Sequence, residues 1–196
     1  MIASAGTMRT LINDLLEFSR IQRTLQPFEQ VNLDDVLQQV KNDLELTIKE
    51  TSTVIKSQPL PVIDGINTQM KQLFGNIIGN SIKFRRPDIT PTITIEASVL
   101  PESEKHKHKL PTGTRYYKIQ ITDNGIGFEK EFNKQIFQVF KRLNGKSEYP
   151  GSGIGLAICK KIVEYHEGII YAENRTGTGA CFVILLPEAL RKNSKE

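Results

Sequence analysis

The chain has 196 residues, 38% of them hydrophobic and 24% charged, with a formal net charge of +4. That composition fits one ordinary core plus an appendage and excludes a disordered chain. No apolar run approaches the ~18 residues that span a bilayer and no secretory leader opens the chain, so a cytoplasmic domain without membrane contact is expected.

In chain order, Met8 to Thr24 carry Met8, Leu11, Ile12, Leu15, Leu16, Phe18 and Ile21 at helical spacing. So wide an apolar stripe needs a partner helix, and Pro27 ends it. Phe28–Asn32 reads as a short strand. Asn32 caps a helix expected to run to about Glu50, with Asp34 and Asp35 in its first turn. Thr53–Ile55 reads as a strand and Pro59 and Pro61 as a loop. Ile66 to about Arg85 is a long helix, stopped before Pro87. Strands follow at Thr92–Leu100 and Arg115–Thr122, joined by a polar connector, Pro101–Thr114, expected as a long exposed loop. A short helix is expected near Lys130–Phe140, and Lys141–Gly151 has no periodicity. Ile154–His166 is helical. Gly168–Asn174 and Gly179–Leu186 form a last hairpin. This order predicts an α+β sandwich, a mixed sheet with helices on one face.

Basic residues cluster at Lys83/Arg85/Arg86, Lys105/Lys107/Lys109 and Lys141/Arg142/Lys146. Apart from Phe84, no aromatic residue interleaves with them, which argues for solvated charge or phosphate contact and against a nucleic-acid surface. Cys159 and Cys181 are far apart and read as buried and reduced.

Three stretches carry chemistry. Asn76, Asn80 and Lys83 are spaced by four and three residues, which puts them on one helical face opposite Phe74, Ile77, Ile78 and Ile82. Two asparagines on one stripe cost helix propensity. A solvated polar face would account for them; so would an amide oxygen that helps hold hydrated Mg²⁺ while the lysine meets phosphate. Asp123-Asn124-Gly125-Ile126-Gly127-Phe128 follows a strand. An ionised carboxylate only accepts hydrogen bonds, which suits an exocyclic amino group; a turn-capping Asp before Asn-Gly is the alternative. Gly125 and Gly127 let a flat base approach, or let the turn form. Gly151, Gly153 and Gly155 open the helix at Ile154, where free backbone amides favour anions. They do not match the dinucleotide fingerprint, and Gly145-Lys146-Ser147 lacks the first glycine and the strand of a P-loop.

Taken in order, these stretches resemble the catalytic, ATP-binding domain of two-component sensor histidine kinases. Gln72–Phe84, QLFGNIIGNSIKF, resembles the N box of that family. DNGIGF and GSGIGLAICKKIVEYHEG resemble its two glycine boxes, IFQVFKRL its F box, and GTGACFVILLP its closing strand. The match covers about Phe28 to Pro187, and the variants are most similar to phytochrome-like kinases. The resemblance implies a Bergerat-type two-layer α/β sandwich at 27–188, followed by a tail at 189–196. Residues 1–26 resemble the second helix of a dimerisation and phosphoacceptor domain, with its first, histidine-bearing helix missing here.

The resemblance also implies roles. Asp123 binds the adenine amino group. Asn80 coordinates Mg²⁺ with Asn76 beside it, and Lys83 contacts phosphate, joined by Arg85. Gly125, Ile126 and Gly127 shape the base pocket. Gly151, Gly153 and Gly155 hinge a lid and meet phosphates, with Ile154, Leu156 and Thr178 in nucleotide contact. Phe137 and Phe140 anchor the lid, and Arg142 reaches phosphate or the partner domain. ATP and Mg²⁺ are the implied cofactors. The implied partners are the protein's own phosphoacceptor helix, a response-regulator receiver domain and a second copy in a homodimer. His166-Glu167, at a helix end, is not expected to be the phosphoacceptor. ATPases of this fold place a water-activating glutamate one turn before the magnesium asparagine; Asn76 stands there instead and cannot act as a base. Phosphoryl transfer to an outside imidazole is therefore favoured over hydrolysis. A degenerate interaction module is the third reading.

Overall fold

The computed structural model describes residues 12, 15, 16, 18–21, 26–141, 152–175 and 179–190, with 174 and 175 in backbone only. The alternating run Tyr116–Asp123 forms strand β5 of a five-stranded sheet. The other strands are β2 (Val54–Ser57), β4 (Thr92–Val99), β6 (Ile169–Arg175) and β7 (Gly179–Pro187), in the order β2-β4-β5-β7-β6. β2 and β4 are parallel and the remaining pairs antiparallel, so the sheet is mixed. β1 (Glu29–Asn32) pairs with β3 (Val62–Gly65) in a separate two-stranded sheet.

The side-chain period of two sends Ile119, Ile121 and Asp123 to one face of β5. That face packs against helices α1 (Leu33–Asp43), α3 (Asn67–Lys83) and α5 (Gly155–Tyr165), giving the expected two layers. α3 supplies Met70, Leu73, Phe74, Ile77, Ile78 and Ile82 to this core, all at most 2% exposed. Each such side chain contributes roughly 1.5–3 kcal/mol of burial. Asn32 caps α1 as expected, its side-chain oxygen accepting from the Asp34 amide at 3.0 Å.

Four expectations need correction. The helix foreseen to Glu50 breaks at Leu44 and resumes as α2 (Glu45–Thr51). The loop after Pro61 contains β3, whose pairing partner lies some thirty residues back. The region Lys130–Phe140 holds two 3₁₀ turns, Lys130–Phe132 and Gln135–Phe137, rather than one helix. The connector Pro101–Thr114 is not an exposed loop: it forms α4 (Glu102–Lys107) and helps cover the second face of the sheet. There Leu110 packs with Leu100, Tyr116, Cys181, Val183 and Leu185, and His108 stacks on Tyr171. Lys105, read as solvated or phosphate-facing, is 2% exposed; it pairs with Glu102 and donates to the Thr114 carbonyl at 2.6 Å. A buried ammonium needs such partners.

Both cysteines are buried and free. Burial pushes the Cys159 thiol up to about 12, so it is unreactive. His166 is 0% exposed: Nδ1–H donates to the Ile162 carbonyl (2.8 Å) and Nε2 accepts from the Ile66 amide (3.1 Å). With both nitrogens engaged in the core, it ties the end of α5 to the start of α3. Among the described residues no helix is long and apolar enough to cross a membrane.

Candidate nucleotide site

The site grows from the end of β5. Asp123 lies on the helix-facing side and is 8% exposed. Its Oδ1 accepts from the amides of Gly125 (2.9 Å) and Ala180 (3.0 Å), and its Oδ2 from the Ser81 hydroxyl (3.0 Å). Burial raises this carboxyl above the usual carboxylate range, and the three donors pull it back. A carboxylate has about four acceptor positions, so three donors leave one open.

The turn after Asp123 is clamped to the end of α3. The Ile126 amide donates to the Phe84 carbonyl at 2.9 Å, and a Cβ on Gly125 would stand 2.5 Å from that same oxygen. Ile126 itself is 37% exposed, and Gly127 takes a left-handed φ of 66°. Asn124 pins the turn from the other side: it accepts from the Thr92 amide (2.8 Å) and donates to the Thr90 carbonyl (2.9 Å).

α3 meets the second glycine segment too. The Asn76 amide donates to the Gly155 carbonyl at 3.3 Å. Ile154 is fully buried, Gly153 has φ 74°, Gly155 and Leu156 are half-buried, and among the described residues no side chain caps the start of α5. The N–H groups of that first turn are therefore available to an anion. Between the two glycine segments, Asn80 and Lys83 lie half-buried along α3. Asn80 makes no side-chain hydrogen bond among the described residues, and Lys83 Nζ stands 4.7 Å over the Phe84 ring. Arg85 is exposed and donates to the Ile82 carbonyl at 3.3 Å. Phe137 is buried in the core, whereas Phe140 is 56% exposed at a left-handed φ of 63° and does not pack as an anchor. Arg142, Gly151 and Thr178 lie outside the described residues.

α3 thus touches both glycine-rich segments. Sequence reading missed Ser81, Asn124, Ala180 and Gly179 as parts of this arrangement. Ser81 had one signal, a hydroxyl on the otherwise apolar face of α3. A cavity of about 850 Å³ runs beside α3 from Asn76 toward the N-terminal helix, with Gln69, Asp43 and Arg20 on its walls.

Residues 65–190 match the model of the family described as histidine kinase-, DNA gyrase B-, and HSP90-like ATPase. The chain belongs to that family. This ATPase-family chain is 35% identical over 194 residues to cyanobacterial phytochrome A of Nostoc sp., a match over 99% of the chain and 24% of the relative. Full-length ShkA in complex with AMPPNP superposes with a TM-score of 0.72 at 23% identity, covering 96% of this chain and 37% of that one. The histidine kinase ThkA in complex with the response regulator TrrA superposes at 0.67 with 21% identity, over 95% and 49%. These structures share the fold. The chain spans about a quarter of the length of the curated relatives it matches.

Proposed function

We propose that this chain is the ATP-binding kinase domain of a sensor histidine kinase. It transfers the terminal phosphate of ATP to a histidine on a phosphoacceptor helix, for relay to a response-regulator aspartate. One observation carries the reading: Asp123, held by three donors with one acceptor position open, sits where α3 brings Asn80 and Lys83 alongside. A base amino group is the natural donor for that open position.

The polar groups on the page fit Mg-ATP. The Asn80 amide oxygen is a hard ligand with no hydrogen-bond partner among the described residues. Among the described residues no cluster of three or more His, Cys, Asp or Glu could hold an ion. A cation held by one amide, waters and phosphate oxygens is the regime of Mg²⁺. When bound, the ion neutralises phosphate charge. In this reading Asp123 orients the base and Gly125, Ile126 and Gly127 wall it. Asn80 holds the metal with Asn76 beside it, and Lys83 and Arg85 face phosphate. Gly151, Gly153 and Gly155 hinge the lid, Ile154, Leu156 and Thr178 contact nucleotide, Phe137 roots the lid, and Arg142 reaches phosphate or the partner domain.

Hydrolysis is disfavoured because the position for a water-activating base holds Asn76, whose amide is engaged with Gly155. Catalysis then rests on positioning and charge neutralisation of an outside imidazole. Residues 1–26 belong to the phosphoacceptor domain in this proposal, 27–188 to the nucleotide domain and 189–196 to a tail. The whole protein is a homodimer with the kinase domain in the cytoplasm, served by a receiver-domain partner of the kind seen with ThkA.

The test supplies a separate phosphoacceptor domain and γ-labelled ATP. Acid-labile, base-stable label on its histidine is expected with the wild type and none with Asn80→Ala. Brisk ATP hydrolysis with no phosphohistidine would replace this reading with the ATPase one.

A further inference from the structure

We infer that Ser81 is a positioning residue that sets base selectivity: its hydroxyl keeps Asp123 a pure acceptor, restricting the site to a base edge with an exocyclic amino group. The inference rests on the adenosine-nucleotide reading above and adds a residue to it. Ser81 is 4% exposed on a helix face otherwise built from Leu73, Phe74, Ile77, Ile78 and Ile82. A hydroxyl buried there needs a partner. Its partner is Asp123 Oδ2, 3.0 Å away, reached because β5 alternation turns Asp123 toward α3.

The proton count decides what the pair can bind. Asp123 Oδ1 is occupied by two backbone amides. The single Ser81 proton goes to Oδ2. Ser81 Oγ and Asp123 Oδ2 therefore offer a ligand only lone pairs. Two neighbouring acceptors match the two hydrogens of an amino group. A 6-oxo base would set lone pair against lone pair and leave buried groups unpaired, which is how polar sites reject close analogues.

The weak point of such a filter is protonation, because a neutral carboxyl can donate to an oxo group. Burial pushes Asp123 in that direction, and Ser81 is the side-chain donor that opposes it, beside the Gly125 and Ala180 amides. Among the described residues, the groups that bond Asp123 from α3, β7 and the following turn, namely Ser81, Ala180 and Gly125, are not ionisable. Ser81 therefore guards the charge as well as the geometry.

The experiment measures ATP and inosine triphosphate binding by calorimetry for wild type, Ser81→Ala and Ser81→Thr, from about pH 5.5 to about pH 8. Wild type should prefer ATP throughout. Ser81→Ala should weaken ATP binding about tenfold. Its ATP preference should also begin to fall at a higher pH than in wild type, with Ser81→Thr restoring both. Wild-type preference and pH profile in a folded Ser81→Ala would overturn the inference. If that variant does not fold, N6-methyl-ATP on wild type decides: equal affinity to ATP means the second hydrogen is unused, and the inference falls. A wild type that binds no ATP overturns the nucleotide reading itself.

Discussion

A Cβ on Gly179 would lie 1.9 Å from the carbonyl oxygen of Asp123, and Gly179 holds φ at 109°. The start of β7 is thus pressed against the backbone of the candidate base-reading residue, and the next residue, Ala180, donates to its carboxylate. Only glycine permits this approach. Gly179→Ala should destabilise the protein by at least ~2 kcal/mol, because backbone rather than a side chain must move. It should weaken nucleotide binding in parallel. Gly75→Ala is the counter-case: nothing lies within 4 Å of its added Cβ in mid-helix α3. It should gain about 0.5–1 kcal/mol. Urea midpoints for the two variants moving in the same direction would refute the packing argument.

Asp123→Asn separates fold from function. The asparagine oxygen can accept from Gly125 and Ala180 as Oδ1 does, and its amide can donate to the Ser81 oxygen. The burial that raises the Asp123 carboxyl penalises a charge that Asn lacks. The urea midpoint at neutral pH should therefore be unchanged or higher, while ATP binding disappears. A large loss of stability would show that the charge supports the fold.

Elements marked by local pattern were legible in the sequence. α3 shows helical periodicity over its whole length, β5 alternates cleanly, and the Asn32 cap is a local hydrogen bond. Elements set by distant partners were not. β3 is four residues long and exists through its pairing with β1. The break at Leu44 has no glycine or proline to announce it, and the ends of the two helices are tied by backbone bonds alone. The connector looked soluble by composition, yet Lys105 is buried because Thr114 and Glu102 fold over it. At the site, motif order named Asp123, Asn76, Asn80 and Lys83. Ser81, Asn124 and Gly179 matter through contacts 32 to 56 residues away along the chain, and no local spacing reveals those.

His166 gives the protein an acid limit. Burial holds its folded-state pKa below the ordinary 6.5, its bond to Ile162 opposing only in part. The unfolded chain therefore takes up a proton at a pH where the native state does not. Stability is fully present above about pH 6.5 and falls as pH drops from there toward the folded-state pKa. Urea midpoints should decline between about pH 7 and about pH 5.5, and His166→Gln should flatten that slope. An equal slope in the variant would assign the acid sensitivity to other groups.

Lys161 joins residues 18–21 to α5. Its Nζ donates to the Phe18 carbonyl at 2.9 Å and stands 4.2 Å over the Phe18 ring, while Gln69 Nε2 donates to the Ile21 carbonyl at 3.0 Å. Both bonds carry a side-chain donor onto a backbone carbonyl of residues 18–21. The two contacts are not equal. Gln69 buries its Oε1 with no hydrogen-bond partner among the described residues, a cost of about 1–3 kcal/mol that offsets the bond its amide makes. Lys161→Met should therefore cost about 1 kcal/mol and speed hydrogen exchange at residues 18–21. Gln69→Met, which keeps the volume and removes the orphan acceptor, should be nearly neutral. If Gln69→Met loosens residues 18–21 more than Lys161→Met, the cation is not the group that docks them.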